Sequence, residues 1–421
     1  MEFESMGLNP RLVAKLTEQG ISKTTPIQTQ AIPHALDGRD VMGLAQTGTG
    51  KTLAFGLPLL QGLNSVGEKP KPHHIHGLVL APTRELARQI YETMQGLTRG
   101  SHLKLSLVTG GASINKQIEA AKRGIDLMVA TPGRLIDLLD RRAVNLSAAR
   151  YLVLDEADQM LDMGFIHALR RIAPLLPKER QTMLFSATMP KLMADLSKEY
   201  LTDPVRVEVA RPGVAADKIT QSVHFVVQSQ KQGLLIELLG KNTGRSLVFA
   251  RTKHGSERLM KNLVKAGFNA SSIHGNKSQG QRDRAIREFK AGQIDVLVAT
   301  DVAARGIDID DIAYVYNFDL PNVSENYVHR IGRTARAGRE GEAIAFCSPD
   351  ETSELRGIQK VLKKDIPVAS GKPWEEMAER AGGKPKKRFG GGGGGKPGGG
   401  NGGGRRRRRP GGRAKQAKRA A

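Results

Sequence analysis

Ala45-Gln46-Thr47-Gly48-Thr49-Gly50-Lys51-Thr52 is the stretch on which the reading of this chain turns. An apolar run, Asp40–Ala45, leads into it and a helical pattern follows. Glycines at this spacing permit a tight turn whose backbone N–H groups point inward, and the N-terminus of the next helix adds positive potential. Strand, loop and helix in this order make it a phosphate-binding loop. Lys51 is then expected to reach the β and γ phosphates of a nucleotide, and Thr52 to ligate Mg²⁺. Ala45 stands where the strict pattern has glycine. The plainer alternative, a Gly-rich turn with no ligand, does not account for the strand before it and the helix after it.

Such a loop needs a carboxylate at the end of a later strand. Tyr151-Leu152-Val153-Leu154 is apolar and runs into Asp155-Glu156-Ala157-Asp158. It would carry Asp155 to the carboxyl edge of a sheet, where ligands of α/β folds sit. Asp155 is expected to hold Mg²⁺, and Glu156 to position and deprotonate an attacking water. Acidic residues here also cap helices; the company of the phosphate loop favours the catalytic reading.

Further out, short apolar runs alternate with amphipathic stretches. In the first half the predicted strands are Asp40–Ala45, Gly77–Ala81, Lys104–Val108, Leu127–Ala130, Tyr151–Leu154 and Thr182–Phe185. In the second they are Ser222–Val227, Arg245–Ala250, Ser271–Ile273, Asp295–Ala299, Tyr314–Asn317 and Glu342–Phe346. Alternation of this kind predicts two α/β domains, each a mostly parallel sheet with helices on both faces. A Pro- and Gly-bearing interruption at 210–217 reads as a linker. The expected division is 1–209, linker 210–217, 218–370, and a Gly/Arg/Lys-rich tail at 371–421, disordered by composition.

The chain has 421 residues and a formal net charge of +23, which points to a polyanionic partner. Fourteen Lys and Arg, and no Asp or Glu, lie from Lys384 onward, with Arg405–Arg409 as their densest cluster. The tail is expected to tether RNA through its phosphates; a solubility tail and a localisation patch are the alternatives. Cys347 is the only cysteine, which excludes an internal disulfide and any cysteine-based zinc site. No signal peptide and no membrane-length apolar run is visible, so the expectation is a cytoplasmic protein with no membrane partner. His73, His74 and His76 have too few further ligands to suggest a metal. Trp374 is expected to pack a terminal segment, and Cys347 to be a buried apolar residue.

Asp155-Glu156-Ala157-Asp158 spells the signature of the DEAD-box ATP-dependent RNA helicases, and the chain resembles that family from about Phe3 to Ile366. The resemblance implies two tandem RecA-like domains and an RNA-stimulated ATPase that locally unwinds RNA or remodels RNA–protein complexes. Thr25-Pro26-Ile27-Gln28 resembles the family's adenine-reading motif, with Phe3 as its upstream aromatic. Gln46, Thr47, Gly48, Thr49 and Gly50 join Ala45, Lys51 and Thr52 as nucleotide-binding positions. Pro82–Ala87 with Arg84, Gly110-Gly111 and Thr131-Pro132-Gly133-Arg134 resemble RNA-backbone contacts of the first domain. Thr252, Gln279, Arg282 and Thr300 resemble those of the second. Contacts of this type grip phosphates and carry no base information. Ser186-Ala187-Thr188 resembles the motif that couples ATP state to RNA separation, and its hydroxyls are expected to bond Asp158.

His329–Gly338 resembles the motif that supplies arginine fingers. It implies that Arg333 and Arg336 reach the γ-phosphate, with His329 among the catalytic group, and that Asp308 meets the ribose. The family commonly has glycine where this chain has Ala335, which bears on local backbone freedom. RNA over DNA is likewise implied, through 2′-hydroxyl contacts. The wording of Tyr314–Gly338 and the tail most resembles bacterial RhlE-type members, implying ribosome assembly or RNA turnover, with ribosomal precursors or RNA-degradation proteins as partners. Two other readings stay open: an ATP-gated RNA clamp with little unwinding, and a DNA-acting helicase of the same superfamily.

Overall fold

A computed structural model describes residues 1–45, 48–209, 219–304, 312–335 and 340–374. The expected linker, nearly all of the tail, and Gln46, Thr47, Asp308 and Arg336 lie outside the described residues.

Two seven-stranded sheets organise the chain. The first contains β1 (Val41–Leu44), β2 (Ile75–Leu80), β3 (Leu105–Val108), β4 (Ile125–Ala130), β5 (Tyr151–Leu154), β6 (Gln181–Ser186) and β7 (Val205–Glu208). Its order is β3-β4-β2-β5-β6-β1-β7. The second contains β8 (Ile219–Phe225), β9 (Ser246–Phe249), β10 (Ala270–Ile273), β11 (Val296–Ala299), β12 (Tyr314–Asn317), β13 (Gly341–Cys347) and β14 (Val368–Ser370), in the order β10-β11-β9-β12-β13-β8-β14. Adding seven to each strand number of the first sheet gives the second, so the two lobes share one topology. The pairings are parallel throughout.

Why these runs become central strands is visible in their packing. Val153 of β5 joins one apolar cluster, with Phe55, Val79 and Phe185, while its neighbours Leu152 and Leu154 join the other, with Leu78, Leu80 and Leu184. Successive side chains point to opposite faces, and helices cover both faces, so an uninterrupted aliphatic run is what such a strand requires. Each of these side chains is fully buried and contributes roughly 1.5–3 kcal/mol. The edge strands β7 and β14 escape the sequence pattern. β7 is four residues with only Val207 buried, and β14 is three exposed residues held to β8 partly by Ser370 Oγ at 2.7 Å from His224 Nδ1.

Parallel strands place all their carboxyl ends on one edge. There β1, β6 and β5 stand side by side, so the loops after Leu44, Ser186 and Leu154 converge. The ends of β2, β4 and β3 form the other half of that edge, and β9, β11 and β10 form the same half in the second lobe.

Candidate nucleotide and nucleic-acid site

The loop after β1 turns through left-handed Gly48 (φ 84°) and Gly50 (φ 88°), and the helix Lys51–Asn64 begins at once. Lys51 is buried, 6% exposed, with its ammonium 3.8 Å from Asp155 Oδ1. That contact is too long for a hydrogen bond, and Nζ has none. A buried ammonium with unspent donors suits a phosphate group, because isolated burial would otherwise be costly. Asp155 is 2% exposed and accepts the Glu156 N–H at 2.9 Å. Burial, helped by the Glu156 carboxylate, pushes its carboxyl up to about 6 against the pull of Lys51. Glu156 is also buried and sits at φ 50°, ψ 50°, a left-handed conformation costly for a residue with a Cβ. Thr52 is half-buried on the first turn beside Lys51. These carboxylate and hydroxyl oxygens fit a hard divalent cation such as Mg²⁺.

Three of the residues expected at the nucleotide have partners within the chain. The Ala45 N–H donates to Ser186 O at 3.0 Å, which continues the β1–β6 ladder rather than facing a ligand. Phe3, 1% exposed, lies in the core cluster with Ile27 and Ile32; burying the whole ring there leaves no open face to stack. Gln28 accepts the Thr25 N–H at 2.8 Å and donates to Gly50 O at 2.9 Å, so its amide braces the phosphate loop. Each of its polar atoms keeps one further site.

Asp158 accepts from the Thr188 hydroxyl (2.9 Å) and from the Thr188 and Ala187 N–H groups (2.9 and 3.2 Å). The Ser186 hydroxyl instead donates to Thr188 O at 2.7 Å, because the chain turns back on itself directly after β6.

Four of the residues expected at RNA, Arg84, Gly111, Gln279 and Arg282, lie where the two lobes touch. Arg84 lies across Gly110 and Gly111, where any Cβ would collide with its guanidinium, and donates to Gln279 Oε1 at 3.3 Å. Glu85 accepts from Gln279 Nε2 (2.9 Å) and pairs with Arg282 (3.0 Å); Arg88 pairs with Asp283 (3.2 Å). Arg134 donates to Ala112 O and Gln117 Oε1, which braces the glycine turn. Thr83 and Thr252 occupy corresponding places and cap their helices, accepting from Leu86 N and Gly255 N. Thr131 makes no side-chain cap bond, and Gly133 follows it on the first helical turn. Thr300 is buried at the end of β11.

Arg333 (3% exposed) and His329 line a small cavity with Phe249, Asp301 and Arg330. Arg330 was not singled out from sequence. It makes a bidentate pair with Asp301 (2.6 and 2.7 Å), donates to Asn317 Oδ1 and Asp319 O, and lies 4.8 Å over the Phe249 ring. Its signal was helical spacing: Tyr327, Arg330 and Ile331 form the buried face of Glu325–Ile331. Ala335 adopts φ 55°, so the position demands the left-handed region where glycine is common.

The remaining features are structural. His73 and His74 Nδ1 atoms contact the carbonyls of Ala143 and Pro72, and no metal-ligand cluster occurs among the described residues. Cys347 is buried, and burial pushes its thiol up to about 12. Trp374 packs edge-on against Phe225 and donates to Cys347 O at 3.1 Å. Among the described residues no helix is long and apolar enough to cross a membrane.

Against known proteins, residues 25–196 match the DEAD/DEAH box helicase family and residues 230–338 the helicase conserved C-terminal domain. The ATP-dependent RNA helicase CshA of Listeria monocytogenes is 41% identical over 376 residues, 89% of this chain and 71% of the relative. CshA of Bacillus subtilis is 42% identical over 365 residues, covering 86% and 73%. Among solved structures, S. cerevisiae Dbp5 bound to RNA and ADP BeF3 aligns with a TM-score of 0.79 at 33% identity, covering 90% of this chain and 98% of that one. Mss116p bound to ssRNA and AMP-PNP aligns at 0.78 and 28% identity, covering 90% and 80%. These relatives carry the family assignment and not the narrower RhlE-type one.

Proposed function

The chain belongs to the DEAD-box ATP-dependent RNA helicases, and from that premise we propose how its own residues divide the work between a nucleotide half-site and an RNA half-site in each lobe. The observation that carries this reading is the buried, hydrogen-bond-free Lys51 ammonium beside Asp155 and Glu156.

In the proposed cycle the Lys51 donors bind the phosphates of ATP, and Gln28 holds the loop while its remaining donor and acceptor read adenine. Thr52 and Asp155 would hold Mg²⁺, which supplies charge neutralisation on the phosphates when bound. Glu156 takes the proton of the water that attacks the γ-phosphorus, as the bond to the departing ADP oxygen breaks. Arg333, Arg336 and His329 act from the second lobe, and Asp308 meets the ribose. Arg84, Gly111, Thr131, Gly133 and Arg134 from one lobe, with Thr252, Gln279, Arg282 and Thr300 from the other, grip one strand by its backbone. Asp158, through Thr188 and its neighbour Ser186, links the two events. The Glu85–Arg282 and Arg88–Asp283 pairs support this, because they join the lobes beside the residues assigned to RNA. The division 1–209, 210–217, 218–370 and 371–421 belongs to the same reading. We extend it to a cytoplasmic setting in ribosome assembly or RNA turnover, with ribosomal precursors or RNA-degradation proteins as partners and the basic tail as a phosphate tether.

Glu156→Gln tests the assignment. RNA-stimulated ATP turnover is expected to fall at least ~100-fold, the scale of a lost general base, with ATP-dependent RNA binding kept. Wild-type turnover in that variant would remove Glu156 from the role.

A further inference from the structure

The helix Thr352–Leu362 packs on the second lobe with one face toward the helix Glu325–Ile331, sharing a core cluster with its Tyr327 and Ile331. Its Leu355, Ile358 and Leu362 pack into the cluster around Val223, Ala345 and Cys347. Its opposite face is basic. Arg356, Lys360, Lys363 and Lys364, spaced i, i+4, i+7 and i+8, are all exposed. With Gln359 and Asp365 they border an open depression of about 400 Å³. The one carboxylate there accepts from Gln359 Nε2 at 2.9 Å.

Two features separate this face from an ordinary solvated one. Cations in the last helical turn, such as Lys360, are favoured by the helix dipole. Arg356, more than a turn earlier, is not explained that way. The second feature is the C-cap. Lys363 occupies the left-handed region at φ 56°, ψ 25°, the place where helices commonly use glycine. The fold accepts Cβ strain there and keeps an ammonium on the rim of the depression.

The surroundings point to the ligand. Trp374, the last described residue, packs on the same cluster as Leu355 and Ile358, and the sequence beyond it carries fourteen cations from Lys384 onward. From Arg356 to Leu362, the last helical residue, is six positions, about 9 Å at a helical rise of 1.5 Å, and Lys363 and Lys364 follow directly.

We propose that this face is a second RNA-binding site, outside the cleft, for the sugar–phosphate backbone of the segment flanking the strand held between the lobes. It rests on the reading that the cleft grips one RNA strand. It binds phosphates without reading bases, and it holds the neighbouring RNA near the lobe through successive openings of the cleft.

The test uses the full chain and a quadruple variant, R356Q/K360Q/K363Q/K364Q. RNA binding is followed by fluorescence anisotropy with a non-hydrolysable ATP analogue. One RNA is a strand just long enough for the cleft; the other is the same strand extended by a duplex. The variant is expected to lose about tenfold or more in affinity for the extended RNA. Its slope of log K against log salt should shrink by about 3, at ~0.7–0.9 per cation removed. Its affinity for the short strand and its RNA-saturated ATP turnover should be unchanged. Undiminished binding of the extended RNA overturns the proposal and leaves the face to an acidic protein partner. Equal losses on both RNAs overturn it too, since the site is then not distinct from the cleft. A wild type that binds only the extended RNA breaks the cleft reading and leaves this one standing. Lys363→Gly separates binding from folding: its thermal midpoint should hold or rise while extended-RNA affinity falls a few-fold, and full affinity counts against the proposal.

Discussion

Lys51 and Lys231 occupy the same place in the two lobes. Each is the first residue of the helix that follows its lobe's first strand, Lys51–Asn64 after β1 and Lys231–Lys241 after β8. Both are buried. Lys51 has no hydrogen bond and stands 3.8 Å from the carboxylate that follows β5. Lys231 is paired with Glu351, donates to Phe318 O at 2.8 Å and lies 3.7 Å from Asp319, the residues that follow β12. Glu351 also takes Arg251 (2.8 Å), the Leu320 N–H (3.0 Å) and the Ser348 hydroxyl (2.8 Å). One topology thus produces two opposite uses of a lysine. The first lobe leaves its ammonium without a hydrogen bond, and the second spends its own on closing the sheet edge. A loop turning through left-handed glycines leads into the first helix; Val227-Gln228-Ser229-Gln230, with no glycine, leads into the second.

The comparison can be broken at either lysine. Lys51→Ala should lower ATP turnover by about 10²–10³, the scale of a lost transition-state donor. Its thermal midpoint should hold or rise, since no hydrogen bond is lost and a buried charge is removed; calorimetry beside an ATPase assay reads both. Lys231→Met should do the reverse, destabilising the second lobe by about 3–5 kcal/mol because Glu351 loses its buried partner. Combining it with Glu351→Met should cost less than the two single changes summed, measured by denaturant unfolding. A Lys231→Met protein that unfolds normally would show the two lysines are not used differently.

Smaller effects sharpen the same contrast. Glu257 is a second case of charge spent within lobe two: the Ser272 hydroxyl first, then His274 and Lys277, hold its carboxyl down to about 2. A carboxyl held below its ordinary value stabilises the fold above about pH 4.5 and loses that contribution as pH falls toward 2. Solvent screening keeps the effect modest. Glu257→Gln should therefore flatten the fall in thermal midpoint between pH 5 and 3, and identical acid slopes would contradict the assignment. Least of all, Ala335→Gly should relieve the left-handed backbone and stabilise the second lobe by under ~1 kcal/mol, with turnover unchanged.

Much of this was legible beforehand. Tyr151–Leu154 and Val296–Ala299 are readable as strands because a strand covered on both faces must be apolar throughout. Lys51, Asp155 and Glu156 were readable because the loop and the strand end fix them within a few residues of chain. What escaped the sequence lies at the edges and over long separations. β7 and β14 carry too little buried surface to leave a pattern. Arg84 with Gln279, and Arg330 with Asp301, are 195 and 29 positions apart, and nothing local announces them. Phe3 was legible as an important aromatic, but whether its ring faced a ligand or the core depended on what packed around it.

By itself, then, the amino-acid sequence determined the class of chemistry at the opening stretch: glycines, lysine and threonine in an order that makes a phosphate cradle, and a carboxylate pair at the end of a strand. Those are properties of short segments, set by backbone sterics and residue type. Only the tertiary structure decided which buried lysine is left without a hydrogen bond. That depends on where the sheet brings a second carboxylate: Glu351 reaches Lys231 across 120 positions, while Asp155 stops 3.8 Å short of Lys51.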